Sequence, residues 1–516
     1  MKKITLLCTL MFITSCVSQP VNTNPVQTAT PSIAPSTISK TPEPINSVLP
    51  SVVPTIPPVN VTASPIPTPI PTATSTPVVI NKELTKKTKL TLGLADLFKV
   101  VTDELSNDYQ KDIREQNEYV NELKPSFIIV EVNQKLVNPT FDAKEINWAY
   151  YDRMTEGAKA SNTEIFFRIK FTQPYNDKTS PTISNYQLFI EKLIERYQAS
   201  NTISFVIGDK INDQNTFSGL ADRKDFNSFL AITYNTIRNK TKTAPIYLGT
   251  FVQSEFFSQN NRYRIVDDLL SFINTGADKY CDGFIFEIYS LATDVSNKNN
   301  ETIFKYTNYK VIKDYYDKIQ ELITKKGLQN KKLILETGTF GGDLVESVRQ
   351  EPQQQSNEIF KQIVYSASLG FDKVYLSKLF DKYPQEQSSI FSKFGLIGAD
   401  NYSLEKKVSY WGIKLLLDRL KDTVAIEQIQ NLPADYEGFI FEKEDKTKYY
   451  VVWNNNKDNT GSIEIKIEGK NAKVYTIPTD SERISYGFTP IISTLGKVRL
   501  DFTSNNMGTR IIESVN

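Results

Sequence analysis

Not one histidine occurs in the 516 residues of this chain. That absence removes the side chain that most often acts as a general base or metal ligand near neutral pH. It also excludes any serine–histidine triad. Cysteine is nearly as scarce, with only Cys8, Cys16 and Cys281. Charge of one sign is missing too: 60 lysines and arginines face 59 aspartates and glutamates. No basic field therefore marks a nucleic-acid partner. No segment reaches the roughly 18 uninterrupted apolar residues of a transmembrane helix. The length exceeds one ordinary core and points to two or three domains.

The N-terminus reads as a targeting segment. Lys2 and Lys3 form a positive start, and an apolar run over 4–13 follows that is too short to span a bilayer. Ile13-Thr14-Ser15-Cys16 then resembles the lipobox of bacterial lipoproteins. The resemblance implies cleavage of a signal peptide over 1–15 and acylation of Cys16, so that lipid alone holds the protein to a membrane. It places the protein on a bacterial cell envelope, at the outer surface or the periplasmic face. Val17 is not the aspartate that resembles an inner-membrane retention signal. Cys8 leaves with the signal peptide and Cys16 takes lipid. Cys281 then has no disulfide partner and is expected to be a small buried residue.

Over 16–84 the composition points to a disordered stalk. Fifteen of the 25 prolines fall between Pro20 and Pro77, glycine is absent from 17–80, and Lys40 and Glu43 are the only charges there. Proline fixes φ and removes donors, so neither helix nor sheet propagates. In polyproline II, at about 3.1 Å per residue, such a spacer reaches on the order of 150 Å.

From 85 to 421 short apolar runs alternate with helical periods. The runs lie at 90–94, 127–132, 165–169, 203–207, 245–248, 284–288, 333–335 and 374–376. Continuous β-branched and aromatic runs suit strands buried on both faces of a parallel sheet. Between them, Tyr186, Phe189, Ile190, Leu193, Ile194 and Tyr197 share one helical face. Ser184 and Gln187 are placed for a capping box, with Ile183 and Leu188 as its hydrophobic staple. Further helices are expected over 226–239, 263–273, 306–323 and 403–420. Eight such units over about 330 residues predict an α/β fold, a (β/α)₈ TIM barrel. An open doubly wound sheet competes, but its glycine-rich phosphate loop after the first strand is missing. Over 422–516 the period becomes strict alternation, as in Ser462-Ile463-Glu464-Ile465-Lys466-Ile467-Glu468. That pattern, with 439–441, 449–453, 474–477, 498–502 and 510–512, predicts a small antiparallel β-sandwich.

Barrel active sites lie at the C-terminal ends of the strands. Those positions carry Asp96, Glu131, Arg168, Lys170, Asp209, Lys210, Glu287, Tyr289, Glu336, Lys378 and Asp381. So many charges on one rim imply a polar, mutually compensated mouth.

Here the chain resembles clan A of the glycoside hydrolases, through the barrel and into the sandwich. Leu333-Ile334-Leu335-Glu336-Thr337-Gly338 resembles the seventh-strand segment that ends in the nucleophilic glutamate. Asp282 to Tyr289 resembles the sixth-strand segment, whose tyrosine bonds that nucleophile. Phe205 to Asn212 resembles the fourth-strand segment. The resemblance implies carbohydrate as partner and no cofactor. Glu336, Glu287 and Asp209 are then the candidate catalytic groups. Tyr289, Lys210, Arg168, Glu131, Lys378 and Asp381 are the candidate substrate contacts.

The departures are specific. The fourth-strand motif of the clan reads Gly-Asn-Glu-Pro, and its glutamate is the acid/base. Here the positions read Gly208-Asp209-Lys210-Ile211. Glu287 stands where histidine is usual, and the eighth-strand segment over 374–378 lacks the usual tryptophan. Retaining hydrolysis needs two carboxyls about 5–5.5 Å apart. A lysine beside Glu336 is expected to hold that carboxylate ionised rather than supply a proton. Either Asp209 or Glu287 would have to serve as the second carboxyl.

Two functions therefore stand side by side. One is a surface lipoprotein that binds, and through a rearranged pair hydrolyses, a polysaccharide or glycoside. The other is a non-catalytic envelope scaffold or protein-interaction module on a glycosidase fold. Schiff-base chemistry on Lys170, Lys210 or Lys378 is disfavoured by export on a stalk. A metal hydrolase is disfavoured because only carboxylates remain as ligands.

Overall fold

The computed structural model describes residues 88–515 apart from 96, 98–106, 133, 139–145, 170–182, 200–201, 213–222, 254–263, 296–301, 307, 346–347, 382–392, 400–403, 457–460, 478–487, 494–495 and 503–507. The targeting segment, Cys16, the stalk, Asp96 and Lys170 lie outside the described residues.

Eight parallel strands close into a barrel: β1 (Leu92–Leu94), β2 (Phe127–Val132), β3 (Glu164–Ile169), β4 (Ile203–Ile207), β5 (Ile246–Val252), β6 (Gly283–Glu287), β7 (Lys332–Thr337) and β8 (Lys373–Leu376). They pair in chain order, and β8 closes on β1 with Val374 opposite Leu92. Among the described residues eight helices of more than ten residues cover them: α1 (Asn107–Leu123), α2 (Ala149–Ala160), α3 (Ile183–Tyr197), α4 (Arg223–Lys240), α5 (Arg264–Asn274), α6 (Val311–Lys325), α7 (Pro352–Leu369) and α8 (Val408–Leu420).

Strand alternation sends every second residue inward. Ala95, Phe127, Ile129, Phe166, Val206, Tyr247, Ile285, Ile334 and Tyr375 form the interior cluster. Phe166 stacks between Phe127 at 4.5 Å and Tyr247 at 5.4 Å. The Phe127 ring lies 2.4 Å from where a Cβ on residue 93 would stand, which is why β1 carries Gly93. At the strand starts the inward positions turn polar. Lys373 pairs with Glu164 at 2.7 Å, and the Ser204 hydroxyl donates to Glu164 at 2.6 Å. The same parity carried upward puts Glu131, Arg168, Glu287, Glu336 and Tyr375 on the inner face at the opposite end.

The C-terminal residues form a six-stranded sheet in the order Thr423–Gln428, Tyr436–Lys443, Lys448–Asn454, Arg510–Val515, Asn471–Thr476, Phe488–Ile492. A two-stranded sheet, Gly461–Lys466 with Lys497–Phe502, packs over one face of it through Ile440, Tyr450, Val452, Ile463, Ile465, Val498, Leu500 and Ile512. The other face packs against the barrel. Phe439, Phe441, Val451, Trp453, Tyr475 and Ile511 join the apolar cluster of the barrel. Trp453 is fully buried, and its indole N–H donates to the Tyr309 hydroxyl, just ahead of α6, at 3.0 Å.

Local expectations fail in three places. The helix expected from 306 begins at Val311, because Thr302–Tyr306 pairs with Leu291–Val295 in a hairpin after β6. The helix expected from 403 begins at Val408, because Leu404–Lys406 pairs with Ile397–Ala399 after β8. The staple on α3 does not form. The helix already starts at Ile183, and Ile183 and Leu188 are 47% and 39% exposed. The apolar stripe of α3 is buried as expected.

Candidate active site

Glu336 ends the inward row of β7. Its register neighbours are Glu287 on β6 and Tyr375 on β8, so three polar inward residues stand side by side. The Tyr375 hydroxyl donates to Glu336 Oε2 at 2.6 Å, and the Tyr289 hydroxyl donates to Oε1 at 3.2 Å. Burial, with Glu336 beside both rings, raises both phenols well above their ordinary range, so they remain donors.

Arg168, on β3, ties the mouth together. Its Nη2 lies 3.3 Å from Glu336 Oε2 and donates to the Tyr375 hydroxyl at 2.8 Å. Its Nη1 lies 3.2 Å from Asp209 Oδ1. Burial opposes its charge, but Tyr375, Asp209, Glu336 and Glu131 outweigh that effect, and the guanidinium stays protonated.

The segment after β4 is set by its neighbour. β5 carries a bulge between Leu248 and Phe251. At the bulge Gly249 adopts φ +57°, and Ile211 occupies the space of a Cβ there at 2.5 Å. The Lys210 N–H donates to Thr250 Oγ1 at 2.9 Å, and that hydroxyl donates to Asp209 Oδ1 at 3.0 Å. Lys210 takes φ +46°, a left-handed conformation that lysine rarely holds and that costs of order 1–3 kcal/mol. This turn corrects one expectation. The Lys210 ammonium does not pair with Glu336 but lies 3.7 Å from Glu287 Oε1. The cation paired with Glu336 is Arg168.

Glu287 is 2% exposed, and its Oε2 has no hydrogen-bond partner among the described residues. Burial first, then the Glu336 charge, pushes its carboxyl up to about 8, against the pull of Lys210. Two neighbouring carboxyls thus sit in unlike surroundings: Glu336 accepts three donors, while Glu287 favours its protonated form. Between the ordinary value of 4.5 and about 8 the folded chain holds a proton at Glu287 that the unfolded chain has lost. Stability should therefore fall as pH rises through that window and then level off. In melts at fixed ionic strength Glu287→Gln should lose this slope, and an unchanged slope would assign it elsewhere.

The remaining candidates divide. Glu131 is exposed on the inner row and is the register partner of Arg168. Lys378 is buried just beyond β8. Asp381 is engaged apart from the Glu336 cluster. Lys407 pairs with it at 2.6 Å and the Gly395 N–H donates to it at 2.9 Å, which pins the segment after β8. Tyr375 and Thr250 were not among the sequence candidates. Register counting from Glu336 would have found Tyr375. Cys281 is buried at the start of β6, its thiol pushed up to about 12 by burial. Among the described residues no acidic or cysteine cluster is arranged to hold a metal ion.

No protein-family profile and no curated protein sequence matches the chain. Solved structures do. A family 39 glycoside hydrolase from Bacteroides cellulosilyticus WH2 is 12% identical, with a TM-score of 0.57 over 83% of this chain and 81% of that one. A glucosidase from Croceicoccus marinus is 12% identical, with a TM-score of 0.60 over 84% and 97%. A monomeric beta-xylosidase from Caulobacter crescentus CB15 is 12% identical, with a TM-score of 0.57 over 84% and 98%. The chain thus shares its (β/α)₈-barrel fold with glycoside hydrolases.

Proposed function

We propose that this chain is an exported lipoprotein, anchored to the cell envelope through Cys16, that binds carbohydrate at the mouth of its barrel with Glu336 facing the anomeric carbon. One observation carries the reading. Glu336 stands at the C-terminal rim, where barrel enzymes act, and Tyr289, Tyr375 and Arg168 converge on its two oxygens. Convergent donors of this kind fix the orientation of a carboxylate. The similarity to sugar-cleaving enzymes supports carbohydrate as the ligand class. The stalk composition supports display at a distance from the membrane.

A glycan-binding screen tests the ligand, using the mature chain and Glu336→Gln. The amide is isosteric, so both should bind the same glycans. A wild type that binds no glycan would end the reading. Anchoring is tested in the same set of strains. Cys16→Ser should move the protein from the membrane to the soluble fraction and abolish labelling by a palmitate analogue. Membrane retention without the cysteine would refute the lipid anchor.

A further inference from the structure

We infer that Glu287, on the strand beside Glu336, supplies the proton that the fourth-strand segment cannot, so that the mouth hydrolyses glycosides through a relocated acid. The inference rests on the carbohydrate reading above and names the second reacting group of the same site.

Three observations carry it. First, the position that would hold the acid is Lys210, and its neighbour Asp209 is spent on Arg168 and Thr250. Second, Glu287 and Glu336 are register partners on adjacent parallel strands and both face inward. Such strands lie about 4.8 Å apart, which suits the roughly 5–5.5 Å separation of a retaining pair. Third, Glu287 Oε2 is buried with no hydrogen-bond partner among the described residues. Buried polar oxygens are nearly always hydrogen-bonded, so one left unmatched at the mouth calls for a role. The groups that face Glu287 are Glu336, Lys210, Asp209 and Tyr289. Their combined effect, with burial, favours a protonated Glu287, the form that a proton donor to the leaving oxygen needs.

Lys210 is the movable piece. Its side chain is 40% exposed, and its 3.7 Å approach to Glu287 is too long for a hydrogen bond. A bound sugar can displace the ammonium and reach the carboxyl beneath it. In the first step Glu336 attacks the anomeric carbon as the glycosidic C–O bond breaks. The departing oxygen takes the Glu287 proton. Water then attacks the glycosyl ester, giving its proton to Glu287 and releasing Glu336 as carboxylate.

Aryl glycosides of the sugars bound in the screen provide the test. A 2,4-dinitrophenyl leaving group needs no proton, whereas an unsubstituted phenyl group does. Wild type should cleave both. Glu287→Gln should keep kcat/KM for the dinitrophenyl glycoside within a few-fold, with kcat limited by breakdown of the glycosyl ester, and should lose kcat/KM for the phenyl glycoside by about 10²- to 10⁴-fold. Lys210→Met gives a second readout. Without the ammonium Glu287 holds its proton to higher pH, so the alkaline limb of phenyl glycoside hydrolysis should move upward. Phenyl cleavage that survives in Glu287→Gln, or an alkaline limb unmoved in Lys210→Met, would overturn the assignment. Binding without cleavage of either glycoside would also overturn it while leaving the carbohydrate reading intact. Failure to bind any sugar would remove both.

Discussion

Replacing Arg168 with methionine should destabilise the barrel by about 3–5 kcal/mol, the usual cost of removing one partner from a buried charged network. The guanidinium is 7% exposed and lies within 3.3 Å of both Asp209 and Glu336, whose side chains are only 11% and 8% exposed. Methionine replaces the aliphatic stem as far as Nε but leaves two buried carboxylates uncompensated. Each must then carry its charge in a poor solvent or take up a proton. The loss should be read by urea unfolding at neutral pH, and it should shrink in acid as the stranded carboxyls protonate. Adding Asp209→Asn and Glu336→Gln should recover most of it, since the triple variant removes the charges together. A loss below about 1 kcal/mol would mean that the cluster is solvated and the mouth is more open than its burial indicates.

Trp453→Ala should cost a similar amount, about 3–5 kcal/mol, for a different reason. Trp453 is fully buried where the six-stranded sheet meets the barrel helices. Its ring lies edge-on to Tyr309 at 5.7 Å and against Phe439 at 5.4 Å. Truncation leaves a cavity and removes the donor to the Tyr309 hydroxyl, which also bonds Glu437. Trp453→Phe should keep much of the packing and isolate the lost N–H. Denaturation followed by tyrosine fluorescence and by circular dichroism should give coincident curves in wild type, because barrel and sheet share this cluster. Separate transitions in wild type would show that the two parts are less coupled than the packing implies.

The sequence made the barrel legible because its strands are buried on both faces. Runs such as Phe127 to Val132 and Ile203 to Ile207 stand out without any knowledge of their partners. The rim was legible for a related reason: seven of the eight runs end in or lead directly to a charge, and parity then decides which charges point inward. Other features depended on tertiary context. The hairpins after β6 and β8 have strands of only three to five residues, too short to show a period. The direction of Lys210 follows from a left-handed backbone held by Thr250 and Ile211, which the residue itself disfavours. Tyr375 was missed because it reads as one more core aromatic until its register with Glu336 is known.

The sheet that follows α8 has bearing on how this protein can be dissected. Its inner face completes the apolar cluster of the barrel, and its outer face seats a second, two-stranded layer. Severing the chain between Leu420 and Thr423, where a boundary would be drawn by eye, would leave two fragments with matching oily wounds. The barrel is therefore not a portable cassette. Any recombinant version meant for crystallisation or sugar assays should begin after the stalk and run on through Val515.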